Sequence, residues 1–183
     1  YVRSKQQACA QLNIDCIVIK KSYLYEEIKG KVAQYDLAST IAILNEKNSI
    51  TAIMVQLPLP VGLDSREVLN CISPSKDVDG LTDVNMGSLV THWGHRGITP
   101  CTPKGIMELL FNEGIELKGK EAVVVGRSNI VGKPLVALLL QEDCTVTICH
   151  SYTENLAQHT RNADILVAAV GKPGFITKSM VKP

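Results

Sequence analysis

Residues 121–140 read EAVVVGRSNIVGKPLVALLL, and the reading of this stretch decides the fold. A short run of alanine and valines, 122–125, meets Gly126; six residues later comes Gly132, then Pro134 and a leucine-rich run. Strand, tight turn, helix is the arrangement with which α/β sheets hold a dinucleotide phosphate. The turn departs from the G-x-G-x-x-G pattern, because Ser128 replaces the middle glycine and the last glycine comes one residue late. Backbone amides at such a turn, and the helix N-terminus behind it, suit a phosphate whatever side chain stands at 128. A tight turn of a ligand-free α/β domain fits the same residues.

Downstream, the alternation continues. Residues 145–149 read as a strand, 155–162 as a helix and 165–170 as a strand ending at Gly171. Strands alternating with helices imply right-handed crossovers and a parallel sheet, here one half of a doubly wound, Rossmann-type domain. The end of the second strand selects between cofactors. A site for NAD places an acid there to hold the ribose 2′-hydroxyl. Here it reads Cys149-His150-Ser151, with no acid before Glu154. A 2′-phosphate requires a cation and hydroxyls, which Arg127, Ser128 and Ser151 supply, Arg127 being the one cation on the turn between strand and helix. These features favour NADP.

Upstream the pattern is less regular. Residues 1–12, 23–35 and 37–45 read as helices. Residues 16–19 and 50–55 read as strands, the second buried and stopped by the two prolines of Gln56-Leu57-Pro58-Leu59-Pro60. Residues 65–71 read as a short helix and 74–87 as loop. Thr99-Pro100 marks the start of a helix that runs to about Phe111 and ends at Gly114. The fold class is therefore α/β, with an N-terminal three-layer α/β catalytic domain over 1–101 and a partial Rossmann-type domain over 102–183.

Composition excludes several classes. Of 183 residues, 45% are hydrophobic and 20% charged, and the net charge is +1 with no basic block, so neither nucleic acid nor a membrane surface is indicated as a partner. The six cysteines show no C-x-x-C pair and no zinc spacing, and read as free thiols in a reducing compartment.

Four further stretches carry possible chemistry. In Tyr1-Val2-Arg3-Ser4-Lys5, Tyr1 and Lys5 share a helix face. A lysine beside a phenol can carry protons when partial burial lowers its pKa, although a solvated face has the same spacing. Gln56 ends an apolar run where α/β sheets face ligands, or it satisfies loop amides. Lys76-Asp77-Val78-Asp79-Gly80 offers two carboxylates in a turn, but lacks the further acids of a calcium loop. His92-Trp93-Gly94-His95 has no third ligand nearby and reads as a solvent loop, so no metal is expected.

Taken in order, YVxxK, VQLPLP, PSKDVDG, PCTPKG, VVVGRSNIVGKP, CHS and ADILVAAVGKP resemble the bifunctional methylenetetrahydrofolate dehydrogenase/methenyltetrahydrofolate cyclohydrolase family over essentially the whole chain. The resemblance implies NADP-dependent oxidation of 5,10-methylenetetrahydrofolate, followed by hydrolysis of the methenyl product to 10-formyltetrahydrofolate. It implies that Lys5 handles the proton of the hydrolytic step and that Tyr1 packs against the folate. Gln56 orients and tunes Lys5, Leu57 lies with Gln56 at the substrate, and Asp79 hydrogen-bonds the pterin. Gly126, Arg127, Ser128 and Ser151 take the cofactor positions, with the pyrophosphate at the helix N-terminus. It further implies a cytoplasmic or mitochondrial homodimer formed through the Rossmann-type domain.

The ends depart from the family pattern. Members have a segment before YVxxK and a glycine-rich GGVGPMT-type loop after the last motif, so the chain reads as a fragment with an unpaired sheet edge. Two other readings compete. Short-chain dehydrogenases also use a Tyr-x-x-x-Lys pair, but after their glycine-rich turn, whereas Tyr1 precedes Gly126. An inactive structural domain fused to a formyltetrahydrofolate ligase is expected to have lost Lys5, Gln56 or Asp79, and all three are present.

Overall fold

The computed structural model describes residues 2–20, 30–91 and 97–183. Tyr1, most of the helix expected over 23–35, and the His92–His95 stretch lie outside them. The chain divides into two compact units, Tyr1–Lys76 and Asp77–Pro183.

The first unit holds helices α1 (Val2–Gln11), α2 (Gly30–Glu46) and α3 (Ser65–Leu69). The helices expected on either side of residue 36 form one continuous helix, since no glycine or proline separates Tyr35 from Leu37. No strand forms at 16–19 or 50–55. An apolar run becomes a strand only by pairing. Residues 16–19 are exposed, and of 50–55 only Ile53 is buried, its N–H donating to the Lys76 carbonyl at 2.7 Å. Besides its buried Ile41, Val68, Leu69 and Ile72, this unit has a polar clasp at the end of α2. The Lys76 ammonium donates to the carbonyls of Leu44, Asn45 and Lys47 at 3.3, 2.6 and 2.9 Å. A cation there satisfies orphan carbonyls and complements the helix dipole. The Asn45 amide donates to the Cys71 carbonyl at 2.7 Å and accepts from the Ser73 N–H at 3.0 Å.

The second unit holds α4 (Asp83–Thr91), α5 (Cys101–Asn112), β1 (Glu121–Val125), α6 (Gly132–Gln141), β2 (Thr145–Cys149), α7 (Leu156–Arg161), β3 (Ile165–Ala168) and a 3₁₀ turn at Lys178–Met180. The strands form a parallel sheet in the order β2-β1-β3, as strand–helix alternation requires. In register, Val125 faces Cys149 on one side and Ala168 on the other. Because side chains alternate, Ala122 and Val124 pack with Met107, Leu135 and Leu139, while Val123 and Val125 pack with Cys149 and Ala163. Both faces of β1 are thus covered, as a parallel sheet demands. Leu135 and Leu139 are fully buried, each worth about 1.5–3 kcal/mol. Both ends of this core are set by left-handed residues. Gly114 (φ +68°) and Asp143 (φ +59°) end α5 and α6, and the following N–H groups of Ile115 and Cys144 donate to Leu110 and Leu139, both at 3.1 Å. Pro100 stands one position before α5, at its cap.

Helix α4 begins inside the stretch expected as loop, 74–87, and runs past its end to Thr91. Its signal was Thr82 before Asp83: the Thr82 hydroxyl accepts from the Asn85 N–H at 3.4 Å, and an acid fills the first turn. Among the described residues no helix is long and apolar enough to cross a membrane.

Candidate active site and cofactor turn

In the first unit, Lys5 lies on the exposed surface of α1, and its ammonium lies 2.8 Å from the Met54 sulfur. A thioether is a weak acceptor, so this contact positions the lysine without neutralising it. Gln56 is on the same segment, two residues on. Its side-chain amide donates to the Leu57 carbonyl at 2.9 Å, and no Lys5–Gln56 hydrogen bond forms among the described residues. Leu57 is half-buried and precedes Pro58 through a cis peptide. The structure thus brings Lys5, Met54 and Gln56 to one region of this unit.

Asp79 belongs to the second unit, where it sits half-buried on a turn held from below. Asp77, 1% exposed, accepts from the Thr82 N–H at 2.8 Å and from the Asn85 side-chain amide at 2.9 Å. Gly80 closes the turn at φ +67°, where a Cβ would lie 2.2 Å from the Ile98 carbonyl oxygen. The Cys101 thiol reaches the Val78 carbonyl at 3.7 Å and the Asp79 carboxylate at 3.9 Å. The two aspartates therefore differ in kind: Asp77 builds the turn and Asp79 is presented by it.

The 121–140 stretch forms the expected strand, turn and helix. Two glycines are required sterically. A Cβ on Gly126 (φ +124°) would lie 2.4 Å from the Ala169 carbonyl oxygen, and one on Gly132 would lie 2.1 Å from that of Gly126. The turn is thereby pressed against the end of β3 and the start of α6. Ser128 organises the helix entrance. Its hydroxyl accepts from the N–H groups of Val131 and Gly132 at 3.2 and 3.4 Å, and its carbonyl accepts from Lys133 at 3.0 Å. Pro134 has no N–H, so the amides at this helix entrance are engaged internally. The helix-entrance amides expected to receive a pyrophosphate are thus bonded to Ser128 in this structure.

Arg127 and Ser151 stand exposed at the adjacent ends of β1 and β2, where the Gly126 N–H donates to the Cys149 carbonyl at 2.8 Å. Sequence reasoning missed two residues here. Lys133 brings a second cation to the turn, its ammonium reaching back to the Asn129 side-chain oxygen at 2.7 Å. Tyr152 places its ring 5.7 Å from the Arg127 guanidinium carbon. Lys133 was legible from its i, i+4 spacing to Asn129; the Tyr152 contact depends on strand register. Burial pushes the Cys149 thiol at the end of β2 up, a hydrogen bond from Thr153 partly opposing this.

Comparison with known proteins fits this geometry. A sequence model described as tetrahydrofolate dehydrogenase/cyclohydrolase, catalytic domain, matches residues 1–79, and its NAD(P)-binding-domain counterpart matches residues 100–183. The chain belongs to the tetrahydrofolate dehydrogenase/cyclohydrolase family. It is 51% identical over its whole length to the bifunctional protein FolD of Caldicellulosiruptor saccharolyticus, of which it spans 63%. It is also 51% identical to that of Methanospirillum hungatei, of which it spans 62%. The fold matches the crystal structure of the Campylobacter jejuni bifunctional enzyme FolD, a methylenetetrahydrofolate dehydrogenase/cyclohydrolase, with a TM-score of 0.90 at 41% identity, covering all of this chain and 62% of that one. It matches the Trypanosoma brucei enzyme, solved with NADP and an inhibitor, with a TM-score of 0.87 at 39% identity, covering all of this chain and 60% of that one. The chain thus spans about three fifths of the length of the family members it matches.

Proposed function

We propose that the protein to which this chain belongs oxidises 5,10-methylenetetrahydrofolate with NADP⁺ and hydrolyses the methenyl product to 10-formyltetrahydrofolate. The observation that carries this reading is the turn from Gly126 to Gly132. Its first and last glycines are required sterically, Gly126 closing the turn against the Ala169 carbonyl and Gly132 packing the helix onto the turn, the roles those two glycines take in a dinucleotide-binding turn. Its arginine stands at a β2 end that offers Ser151 rather than an acid. Arg127 and Ser151 would hold the 2′-phosphate, Gly126 would close the turn that receives the pyrophosphate, and Ser128 would shape the turn and face the phosphate with its hydroxyl. When bound, the nicotinamide supplies the hydride acceptor.

The chain's own residues supply position and proton handling. Lys5 would deliver or remove the proton as water adds to the methenyl carbon, with Gln56 orienting it. Asp79 would accept hydrogen bonds from the pterin, and Tyr1 and Leu57 would pack against the folate. On this reading residues 1–101 serve the folate and 102–183 the cofactor, and the protein acts as a cytoplasmic homodimer joined through the second domain. The Campylobacter and Trypanosoma enzymes, named for the same paired activities, support the reading. The test is to supply the full-length protein with methylenetetrahydrofolate and NADP⁺ and follow NADPH. No NADPH formation removes the dehydrogenase claim, and no loss of added methenyltetrahydrofolate above the spontaneous rate removes the cyclohydrolase claim.

A further inference from the structure

Tyr152 is 80% exposed, yet its ring meets two other side chains. Its backbone N–H donates to the His150 Nδ1 at 3.2 Å, and the two rings meet edge to face with centroids 6.2 Å apart. The His150 backbone N–H donates to the Thr153 hydroxyl at 2.8 Å. The backbone of the turn after β2 is thus fixed by local bonds, and the phenol ring lies against the His150 ring. The ring then stands 5.7 Å from the Arg127 guanidinium carbon, across from the turn after β1. A guanidinium within about 6 Å of a ring centroid is attracted by the ring's negative face.

We propose that Tyr152 is a positioning residue for Arg127: it holds the guanidinium over the end of β2, ready for the 2′-phosphate, and so sharpens discrimination between NADP and NAD. This rests on the cofactor reading above and extends it to a residue outside the phosphate's own partners. The physical argument concerns preorganisation. A free arginine must lose rotamer freedom when it binds a phosphate. One already held against a ring has lost part of it, and its charge is not neutralised, because the ring is no counter-ion. Arg127 also has no carboxylate among the contacts described for it, so the ring's pull need not compete with an ion pair.

The test uses the full-length protein and two adenosine probes, 2′,5′-ADP, which carries the 2′-phosphate, and 5′-AMP, which lacks it. Dissociation constants are measured by calorimetry for wild type, Tyr152→Ala and Tyr152→Phe, each also in an Arg127→Ala background. Tyr152→Ala should weaken 2′,5′-ADP by about two- to five-fold, the worth of an exposed cation–π contact, and leave 5′-AMP unchanged. Tyr152→Phe, which keeps the ring face, should bind like wild type. In the Arg127→Ala background the Tyr152→Ala change should add nothing. Equal weakening of both probes would show that the ring stacks on adenine instead and would overturn the inference. So would a Phe variant as weak as Ala, which would assign the effect to the phenol hydroxyl, or undiminished 2′,5′-ADP binding by Tyr152→Ala. A wild-type protein that binds the two probes equally would remove the NADP reading itself, a result distinct from any of these.

Discussion

The Asp77 carboxylate accepts a hydrogen bond from the Asn85 side-chain amide at 2.9 Å, joining the start of a turn to helix α4 beneath it. The same oxygen accepts the Thr82 N–H at 2.8 Å, and the Asn85 side-chain oxygen accepts the Ile98 N–H at 3.4 Å. A buried acid with directed donors thus fixes the turn that presents Asp79. Asp77→Ala leaves those donors buried, and hydrogen bonds to a charged group are worth about 1.5–3 kcal/mol each. The variant should lose at least that much stability in a denaturant titration. Asp79→Ala, at a half-buried position on the same turn, should unfold closer to wild type while losing folate affinity. Equal destabilisation by the two substitutions would show that the turn does not divide the roles in this way.

Two glycines on helices of the second unit should respond oppositely to the same substitution. Gly132→Ala drives a methyl group into the Gly126 carbonyl oxygen, backbone that cannot swing away. Forced overpacking costs about 1–3 kcal/mol, and the turn should open with loss of nucleotide affinity. Gly105 lies in α5 with nothing within 4 Å of an added Cβ. Gly105→Ala should therefore stabilise by about 0.5–1 kcal/mol, as alanine does in a helix interior. Thermal melting of the two variants beside wild type checks both signs.

Much of the second unit was legible because its signals are local. The valine run at 122–125 and the run at 145–149 name β1 and β2 within a residue of their observed limits, and the glycine turn with the leucine-rich run after Pro134 marks α6. The α/β class followed from that alternation. The runs at 16–19 and 50–55 have the same composition as strands but find no strand-length pairing among the described residues, Ile53 alone bonding across to Lys76, and pairing is not written in a single segment. Helix α4 was hidden because the Asp-Gly turn before it reads as loop, and its cap is a single threonine. The site was legible in part. Lys5, Gln56 and Asp79 stand in motifs, but the Lys5–Met54 contact and the Arg127–Tyr152 pair depend on chain crossings that spacing does not reveal, whereas the bonds of Ser128 to the Val131 and Gly132 N–H groups span only three and four residues.

Lys5 provides a prediction about chemistry. Lys5→Met keeps a long side chain on α1 and removes the ammonium. Loss of a general acid or base costs about 10²–10⁴-fold in rate, so hydrolysis of methenyltetrahydrofolate by the full-length variant should fall by that factor. Hydride transfer needs no proton donor, and NADPH formation should survive in part. A variant that hydrolyses at the wild-type rate would move the proton-handling role to another residue.

Acid should loosen the end of the sheet. The Lys182 ammonium donates to Asp164 at 2.6 Å and the Glu121 N–H donates to its other oxygen at 3.1 Å. These bonds, Lys182 first, hold the Asp164 carboxyl below its ordinary range. A group whose folded-state pKa is depressed stabilises the fold above its unfolded pKa, and that contribution disappears as pH falls through the folded value. Melting temperature should therefore decline on acidification from the ordinary carboxylate range downward, and Asp164→Asn should flatten that part of the profile while leaving fewer degrees to lose. An unchanged profile in the variant would show that other carboxylates govern the acid limb.

Ser128 separates two roles that the sequence merged. Its hydroxyl already accepts from Val131 and Gly132 at the entrance to α6, and its neighbour Arg127 is exposed toward the end of β2. Removing a hydroxyl that satisfies helix-entrance amides costs about 0.5–2 kcal/mol. Ser128→Ala should therefore lower stability by that amount and weaken NADP⁺ and NAD⁺ together, because the turn's shape serves the pyrophosphate common to both. Arg127→Ala should leave stability near wild type and weaken NADP⁺ alone. A charge-assisted hydrogen bond to phosphate is worth about 1.5–3 kcal/mol, or about one to two powers of ten in kcat/KM. The measurement is the ratio of kcat/KM for the two cofactors at fixed ionic strength, taken beside a melting curve for each variant. Equal loss of both cofactors in Arg127→Ala would assign the arginine to the pyrophosphate. A selective loss of NADP⁺ in Ser128→Ala, with stability intact, would show that the hydroxyl leaves the helix entrance to bind the 2′-phosphate.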